Sequence, residues 1–380
     1  MTASMPLFLS AIMLLSISSY VLHQRLLLLA QIGIAHQHKP RNLTILLWHW
    51  PFGRPYSLEG DVCSDEYGIP GCLLSDNTSL FPQADVVVFH NHELRTGRSS
   101  LPLHLPRSVS QRWLWLSLEP PVHNGNLTKY NGLFNWTMSY RGDADISMPY
   151  GKIVPVPHNG NSSSYVIPKK RACLASWVVS NYRPDHARSQ VYQSLRKYIP
   201  IEVYGHWSKR PLTDQSLIPI IGHCSFYLAF ENSVALDYIT EKLWRNAYQA
   251  GAVPVVLGPS RANYEALVPP GSFIHVSDFN STEGLAVFLQ QLATDRGRYE
   301  GYFKWRQTHR IKMYTDWRER LCNICANYQR LPDRNQIEHL WEILVRRLRQ
   351  CFPPPSTNFI LWNLLWKNGV TSLQKSSRHL

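Results

Sequence analysis

The sequence predicts an α/β protein of two Rossmann-like domains facing a cleft, preceded by an N-terminal signal anchor. Three observations carry this. Short runs rich in Val, Ile, Leu and Trp alternate with helix-length segments, which implies parallel sheets with crossover helices. Pro, Gly, Asn and Ser accumulate over 149–164 and divide the chain into two halves, placing a site in the cleft between them. An uncharged apolar run, 6–22, stands near the N-terminus.

In the first half, 43–50, 84–90 and 113–119 read as strands separated by turns. In the second, 172–180 reads as a strand and 184–198 as a helix with Pro184 near its first turn. Residues 226–230 form a strand, and 240–250 a helix capped by Thr240 and closed by Gly251. Residues 253–257 form a fully buried strand, and 273–276 another, followed by a helix through Leu292. These elements set the organisation: 1–5 a short tail, 6–35 the anchor region, 36–42 a stem, 43–165 and 166–342 the two domains. Residues 343–380, with Arg346-Arg-Leu-Arg349 and Pro353-Pro-Pro355, continue neither domain and have no assigned role.

At 380 residues the chain can bury two cores. With 44% hydrophobic and 17% charged residues it is not a mainly disordered protein. The formal charge of +13 favours anionic partners. Its Lys and Arg are dispersed rather than gathered in blocks, so nucleic acid is not expected.

The run 6–22 is at the short limit for a spanning helix, which leaves a cleaved signal peptide as the alternative to an anchor. No small-x-small exit follows it. Arg25 lies after the run rather than before, so charge does not set the orientation. The sequons do: Asn42, Asn77, Asn126, Asn135, Asn161 and Asn280 favour a luminal body. Seven cysteines fit an oxidising compartment. The pair Cys322 and Cys325 has redox and zinc readings besides a structural one. A zinc site would need a second close pair, which Cys63 and Cys72 are too far apart to supply.

Three positions carry chemistry. Phe226-Tyr-Leu-Ala-Phe-Glu-Asn232 is a strand ending in acid and amide, and the helix after it begins near Lys242. A cation there opposes the helix dipole unless an anion such as a diphosphate is bound. A solvated lysine is the other reading. Arg188 repeats the arrangement one strand earlier, after Val178-Val-Ser-Asn181, where a guanidinium can fork onto two phosphate oxygens. Glu119 ends Trp113-Leu-Trp-Leu-Ser-Leu-Glu119. A strand-end carboxylate in a cleft can be a general base with a raised pKa, or simply a solvated glutamate.

Taken together, residues 43–342 resemble the alpha-1,3-fucosyltransferases. The resemblance rests on Phe230-Glu-Asn-Ser233, Asp237-Tyr-Ile-Thr-Glu-Lys-Leu243, Val253-Pro-Val-Val-Leu-Gly-Pro-Ser-Arg261, Asn263-Tyr-Glu265 and Ser272-Phe-Ile-His-Val276. Trp48-His-Trp-Pro-Phe-Gly53, Tyr67-Gly-Ile69, Phe134-Asn-Trp136 and Thr315-Asp-Trp-Arg-Glu-Arg320 are most similar to the leukocyte branch, which acts on sialylated acceptors.

The resemblance implies a GT-B fold whose first domain binds acceptor and whose second binds GDP-fucose. It implies inverting transfer to the 3-hydroxyl of GlcNAc in glycoprotein and glycolipid glycans, with no essential metal, at most a stimulatory one. It also implies a type II protein of the Golgi membrane. Glu119 matches the base, although Pro120 stands where the family usually has Ser. Arg188 and Lys242 match diphosphate ligands, and Glu241 a ribose ligand. Asn232 and Tyr238 match the donor pocket, to which Asn181 is added by its place at the strand end. The family's disulfides would be Cys63 with Cys322, Cys72 with Cys325, and Cys173 with Cys224. The last pair, Arg25 and a tail holding Cys351 depart from the leukocyte pattern. Transfer to neutral N-acetyllactosamine, or glycan binding without turnover, are the alternatives.

Overall fold

The computed structural model describes residues 42–156 and 171–331. The anchor, most of the stem, Asn161, the 343–380 tail and Cys351 lie outside them. Among the described residues no helix is long and apolar enough to cross a membrane.

The first half is built on a six-stranded sheet. Its strands are β1 (Leu43–Leu47), β2 (Cys72–Ser75), β3 (Val86–His90), β4 (Arg112–Ser117), β5 (Trp136–Ser139) and β6 (Ile146–Ser147), in the order β2-β1-β3-β4-β5-β6. From β1 to β6 every pairing is parallel. All five residues of β3 are buried, as a strand covered on both faces requires. Phe81, Phe89, Trp113 and Phe134 pack together over one face.

The second half carries β8 (Cys173–Val178), β9 (Ile201–Tyr204), β10 (Cys224–Phe230), β11 (Val253–Leu257) and β12 (Ile274–His275), after β7 (Gly151–Pro155) in chain order. These five strands form an all-parallel sheet ordered β12-β11-β10-β8-β9. The two-residue period divides β10 between two cores. Phe226, Leu228 and Phe230 enter one, and Tyr227 and Ala229 the other.

Several boundaries differ from the sequence reading. The 149–164 stretch, a linker by composition, begins as β7, which pairs antiparallel with β13 (His309–Met313). The helix expected from 184 starts at Ala187, because His186 keeps extended backbone angles and stands as its N-cap. The strand expected over 273–276 keeps two residues, Ile274–His275, and then tightens into a turn.

The last α-helix among the described residues, Trp317–Asn327, returns to the first half. Its Cys322 and Cys325 are bonded to Cys63 and Cys72, closing loops of more than 250 residues. Cys173–Cys224 joins register partners on β8 and β10. The three pairs are those the resemblance implied, and they remove the redox and zinc readings of the CxxC. Tyr67 donates to Asp316, which caps that helix, at 2.7 Å, and Arg318 forks onto Glu66 at 2.9 Å through both nitrogens.

Among the sequons, Asn42, Asn77, Asn126 and Asn280 are exposed. Asn135 is not: it is 4% exposed, and its side-chain oxygen accepts from the Trp113 N–H at 2.9 Å and from Arg107. Both bonds use the oxygen and leave the nitrogen that would carry a glycan, so burial alone sets Asn135 apart from the exposed sequons.

Candidate active site

In both sheets the chemistry-bearing residues follow the carboxyl ends of parallel strands: Glu119 after β4, Asn181 after β8, and Glu231 with Asn232 after β10. This edge is where parallel α/β sheets bind ligands.

The segment after β10 enters a π-helical run, Lys242–Gln249. Such wide turns recur at functional sites. Thr240 does not cap it. Glu241 occupies that position without a side-chain cap, and Thr240 serves Glu231 instead. The Glu231 carboxylate accepts from the Thr240 N–H at 2.8 Å and from its hydroxyl at 2.9 Å. Lys242 Nζ lies 3.1 Å from Glu231, 3.0 Å from Glu241 and 2.7 Å from the Thr240 hydroxyl, with its side chain 15% exposed. It is therefore held in place, not solvated. Burial would lower the Lys242 pKa, but the two carboxylates raise it. Burial raises the Glu231 pKa, with Lys242 pulling against it.

Arg188 is the second residue of helix Ala187–Leu195 and is 6% exposed. Its guanidinium donates to the main-chain carbonyl of Asn181, while its Nε is buried without a partner. Burial depresses its pKa, and the first charge that offsets this is Glu231. The Asn181 side chain is exposed, and the Asn232 Oδ1 is buried without a donor. Glu241 lines a cavity of about 200 Å³ together with Val178, Ser180, Gly205 and His206. Gly205 is obligatory there, because a Cβ would sit 2.2 Å from the Val179 carbonyl oxygen.

Glu119 belongs to the other half and lies within electrostatic reach of Lys242. Its carboxylate is 35% exposed and lies 3.4 Å from His123 Nδ1. That contact sets its pKa below the ordinary value, against burial, with Lys242 and His90 adding to the depression. The raised pKa expected from the sequence is corrected: an imidazole one turn on outweighs the desolvation. Tyr150 donates to the Leu118 carbonyl at 2.8 Å, and the Tyr140 and Tyr238 rings meet at 5.1 Å. Leu118, Tyr140, Ala235 and Tyr238 pack as one cluster. Asp237, at φ 61°, accepts from the Gly142 N–H at 2.9 Å and is fixed by Asn263 on both sides. The two halves are thus joined directly beside Glu119, and Tyr238 stands in that joint.

Two family models cover most of the chain: "Fucosyltransferase, N-terminal" over residues 40–151 and "Glycosyltransferase family 10 (fucosyltransferase) C-term" over 167–343. The chain belongs to the family 10 fucosyltransferases. It is 49% identical over 296 residues to the alpha-(1,3)-fucosyltransferase 7 of Mus musculus, covering 78% of this chain and 74% of that protein. To the Homo sapiens protein of that name it is 48% identical, covering 78% and 84%. It is 45% identical to 4-galactosyl-N-acetylglucosaminide 3-alpha-L-fucosyltransferase FUT5 of Gorilla gorilla gorilla, over 76% of each. The crystal structure of an alpha1,3-fucosyltransferase with GDP-fucose aligns with a TM-score of 0.51 at 18% identity, covering 80% of this chain and 94% of that one. That likeness shows the fold, an α/β arrangement of the GT-B kind.

Sequence reasoning singled out the cations of this fucosyltransferase but not the groups that hold them. Glu231 stood inside a quoted motif without a role. Tyr140, Tyr150 and the Asp237–Asn263 pair carried no pattern that marks a domain joint. His90 was also missed. It is buried, paired with Glu93 at 2.5 Å and packed on the ring of Phe52, whose N–H donates to the same Glu93 at 2.8 Å.

Proposed function

We propose that this fucosyltransferase is an inverting alpha-1,3-fucosyltransferase. It moves L-fucose from GDP-beta-L-fucose to the 3-hydroxyl of GlcNAc in sialylated N-acetyllactosamine, giving sialyl Lewis X on glycoproteins and glycolipids. The observation that supports this is a carboxylate of one half within electrostatic reach of a cation of the other. Glu119 comes from one half, Arg188 and Lys242 from the other, and Lys242 is close enough to depress the Glu119 pKa.

An acceptor hydroxyl is far too weak an acid to attack unaided, so Glu119 takes its proton as the new bond forms. The breaking bond leaves charge on GDP, which Arg188 meets through its unpartnered Nε and Lys242 meets by turning from Glu241 or Thr240. Attack opposite GDP inverts the anomeric carbon. Glu241 serves the ribose from the adjoining cavity, and Tyr238, Asn232 and Asn181 complete the donor pocket. With two side-chain cations at the diphosphate, transfer needs no metal. The disulfides, the exposed sequons and the apolar N-terminal run support a type II protein of the Golgi membrane with its body in the lumen.

The test is a donor–acceptor screen of the purified luminal body, with product linkage read by mass spectrometry. An alpha-1,3 product on 3′-sialylated N-acetyllactosamine is expected. Preference for the neutral disaccharide would reject the sialylated acceptor, and no turnover of any GDP-sugar would reject the transferase.

A further inference from the structure

A second recess opens on the acceptor half, and the donor reading does not use it. Its volume is about 260 Å³, and Arg95, Asn124, Lys129, Tyr130 and Asn126, the head of an exposed sequon here without a glycan, line it. Two of the five are cations and none is acidic. Arg95 extends from helix Asn91–Thr96, which follows β3, so the recess belongs to the same strand-end edge as Glu119. Lys129 lies in the turn Thr128–Tyr130 with its ammonium 4.8 Å from the Tyr130 ring centre. Both cations are exposed, and neither is ion-paired with a described residue.

The recess is tied to the base through Asn124. This buried amide donates to the Glu119 carbonyl at 3.3 Å. Its oxygen accepts from the Ser117 hydroxyl at 2.6 Å and from Asn91 at 3.1 Å. The recess wall and the base therefore lie on one pinned loop. Gly125, at φ 72°, lets the Arg95 stem close over that loop, since a Cβ there would come within 3.2 Å of the Arg95 Cδ.

We infer that this recess is an anion subsite for the acceptor, holding the acidic group of a glycan whose reacting hydroxyl is at Glu119. The inference rests on the acceptor reading above and deepens it. The donor's diphosphate is served by Lys242 and Arg188 from the other half, so these cations are spare. A guanidinium forks onto a carboxylate or a sulfate with two parallel hydrogen bonds, and the ammonium adds a point charge beside it. Sialic acid and a sulfate ester share this chemistry.

The experiment measures binding and transfer with N-acetyllactosamine and its 3′-sialylated and 3′-sulfated forms, on the wild type, Arg95→Gln and Lys129→Gln. Dissociation constants come from ligand-observed NMR with GDP present, so the subsite is read whether or not transfer occurs. Each variant is expected to weaken an anionic acceptor about tenfold, with the neutral one and the donor KM unchanged. Loss confined to the sulfated form would assign the subsite to sulfate and reject the sialylated acceptor while keeping the subsite. Equal losses on neutral and anionic acceptors, no loss on any, or wild-type binding indifferent to the acidic group would each overturn it.

Discussion

Lys242 Nζ and the Glu231 carboxylate lie 3.1 Å apart, and the Glu231 side chain is 1% exposed. The cation assigned to the donor diphosphate is thus one end of a buried pair whose other end also holds the Thr240 turn. Removing Lys242 has two effects. Transfer in Lys242→Ala should fall at least a hundredfold, since one charge-assisted contact in a shielded site is worth about 2.7–4 kcal/mol. Stability should fall as well, because Glu231 keeps its burial and loses the charge that opposed it. A carboxyl whose folded pKa lies above its unfolded value binds a proton more readily when folded, so its ionisation removes stability as pH rises between the two values. The melting deficit of Lys242→Ala should therefore shrink as the pH is lowered from about 7 to about 5. A deficit independent of pH would break the Glu231–Lys242 coupling.

Arg188 offers the contrast. It is buried with one donor unpartnered, and its pKa is depressed by burial, so the folded state gains little from it. Arg188→Met should lose at least a hundredfold in transfer and weaken GDP while leaving the melting temperature equal or higher, because an apolar side chain of similar volume refills the site. Calorimetry alongside GDP titration reads both, and a large loss of stability with normal GDP affinity would make Arg188 a structural residue.

Much of this layout was legible in the sequence because parallel strands advertise themselves. Runs such as 84–90 and 253–257 are apolar throughout, and the residues just after such a run lie at the ligand edge. The diphosphate cations stood out because a cation at a helix start is locally unfavourable. The hidden part was pairwise. Nothing at Glu231 announces that it faces Lys242, since the partners meet only when the turn after β10 closes. The Glu119 pKa was misjudged for a related reason, as burial is suggested by an apolar strand but His123 is an ordinary loop residue until Pro120 and Pro121 fold it back. Asn135 fits a sequon as a string, yet its amide is a structural acceptor between β4 and β5.

Glycopeptide mapping of the secreted body should find Asn135 unmodified, and Asn135→Gln should lower stability through the Trp113 and Arg107 contacts while removing no glycan. A glycan on Asn135 would show that its amide nitrogen is modified before the sheet closes over it. The same unreduced digest should return Cys63–Cys322 and Cys72–Cys325 peptides. Because the two bridges lie side by side, reducing both opens one loop of more than 250 residues at about 5 kcal/mol, whereas losing one alone costs about 3 kcal/mol while the other still holds the ends together. A Cys322–Cys325 bond would reject the return of the last helix to the first half.

The pH dependence of transfer turns on Glu119 and His123. The contact with His123 holds the Glu119 carboxyl below its ordinary value despite burial, so the base stays ionised further into acid than a free glutamate would. The kcat/KM profile should then keep its plateau to below about pH 4.3, the value for an unperturbed glutamate. Replacing His123 with Ala removes the largest cause of the depression and leaves burial opposed only by the more distant charges of Lys242 and His90. The acidic limb should move upward while the plateau rate changes little, because the Glu119 carboxylate is still present to take the proton. Glu119→Gln should instead lose the plateau by two or more orders of magnitude and still bind GDP normally, since the amide keeps the shape but cannot take the proton. The stability linkage runs the same way: with the folded pKa depressed, the contact's contribution is present above the unfolded value and is lost as pH falls through the folded one. An acidic limb that stays put in His123→Ala would detach His123 from the base. A fully active Glu119→Gln would take the proton-accepting role from Glu119 and leave the donor half of the mechanism intact.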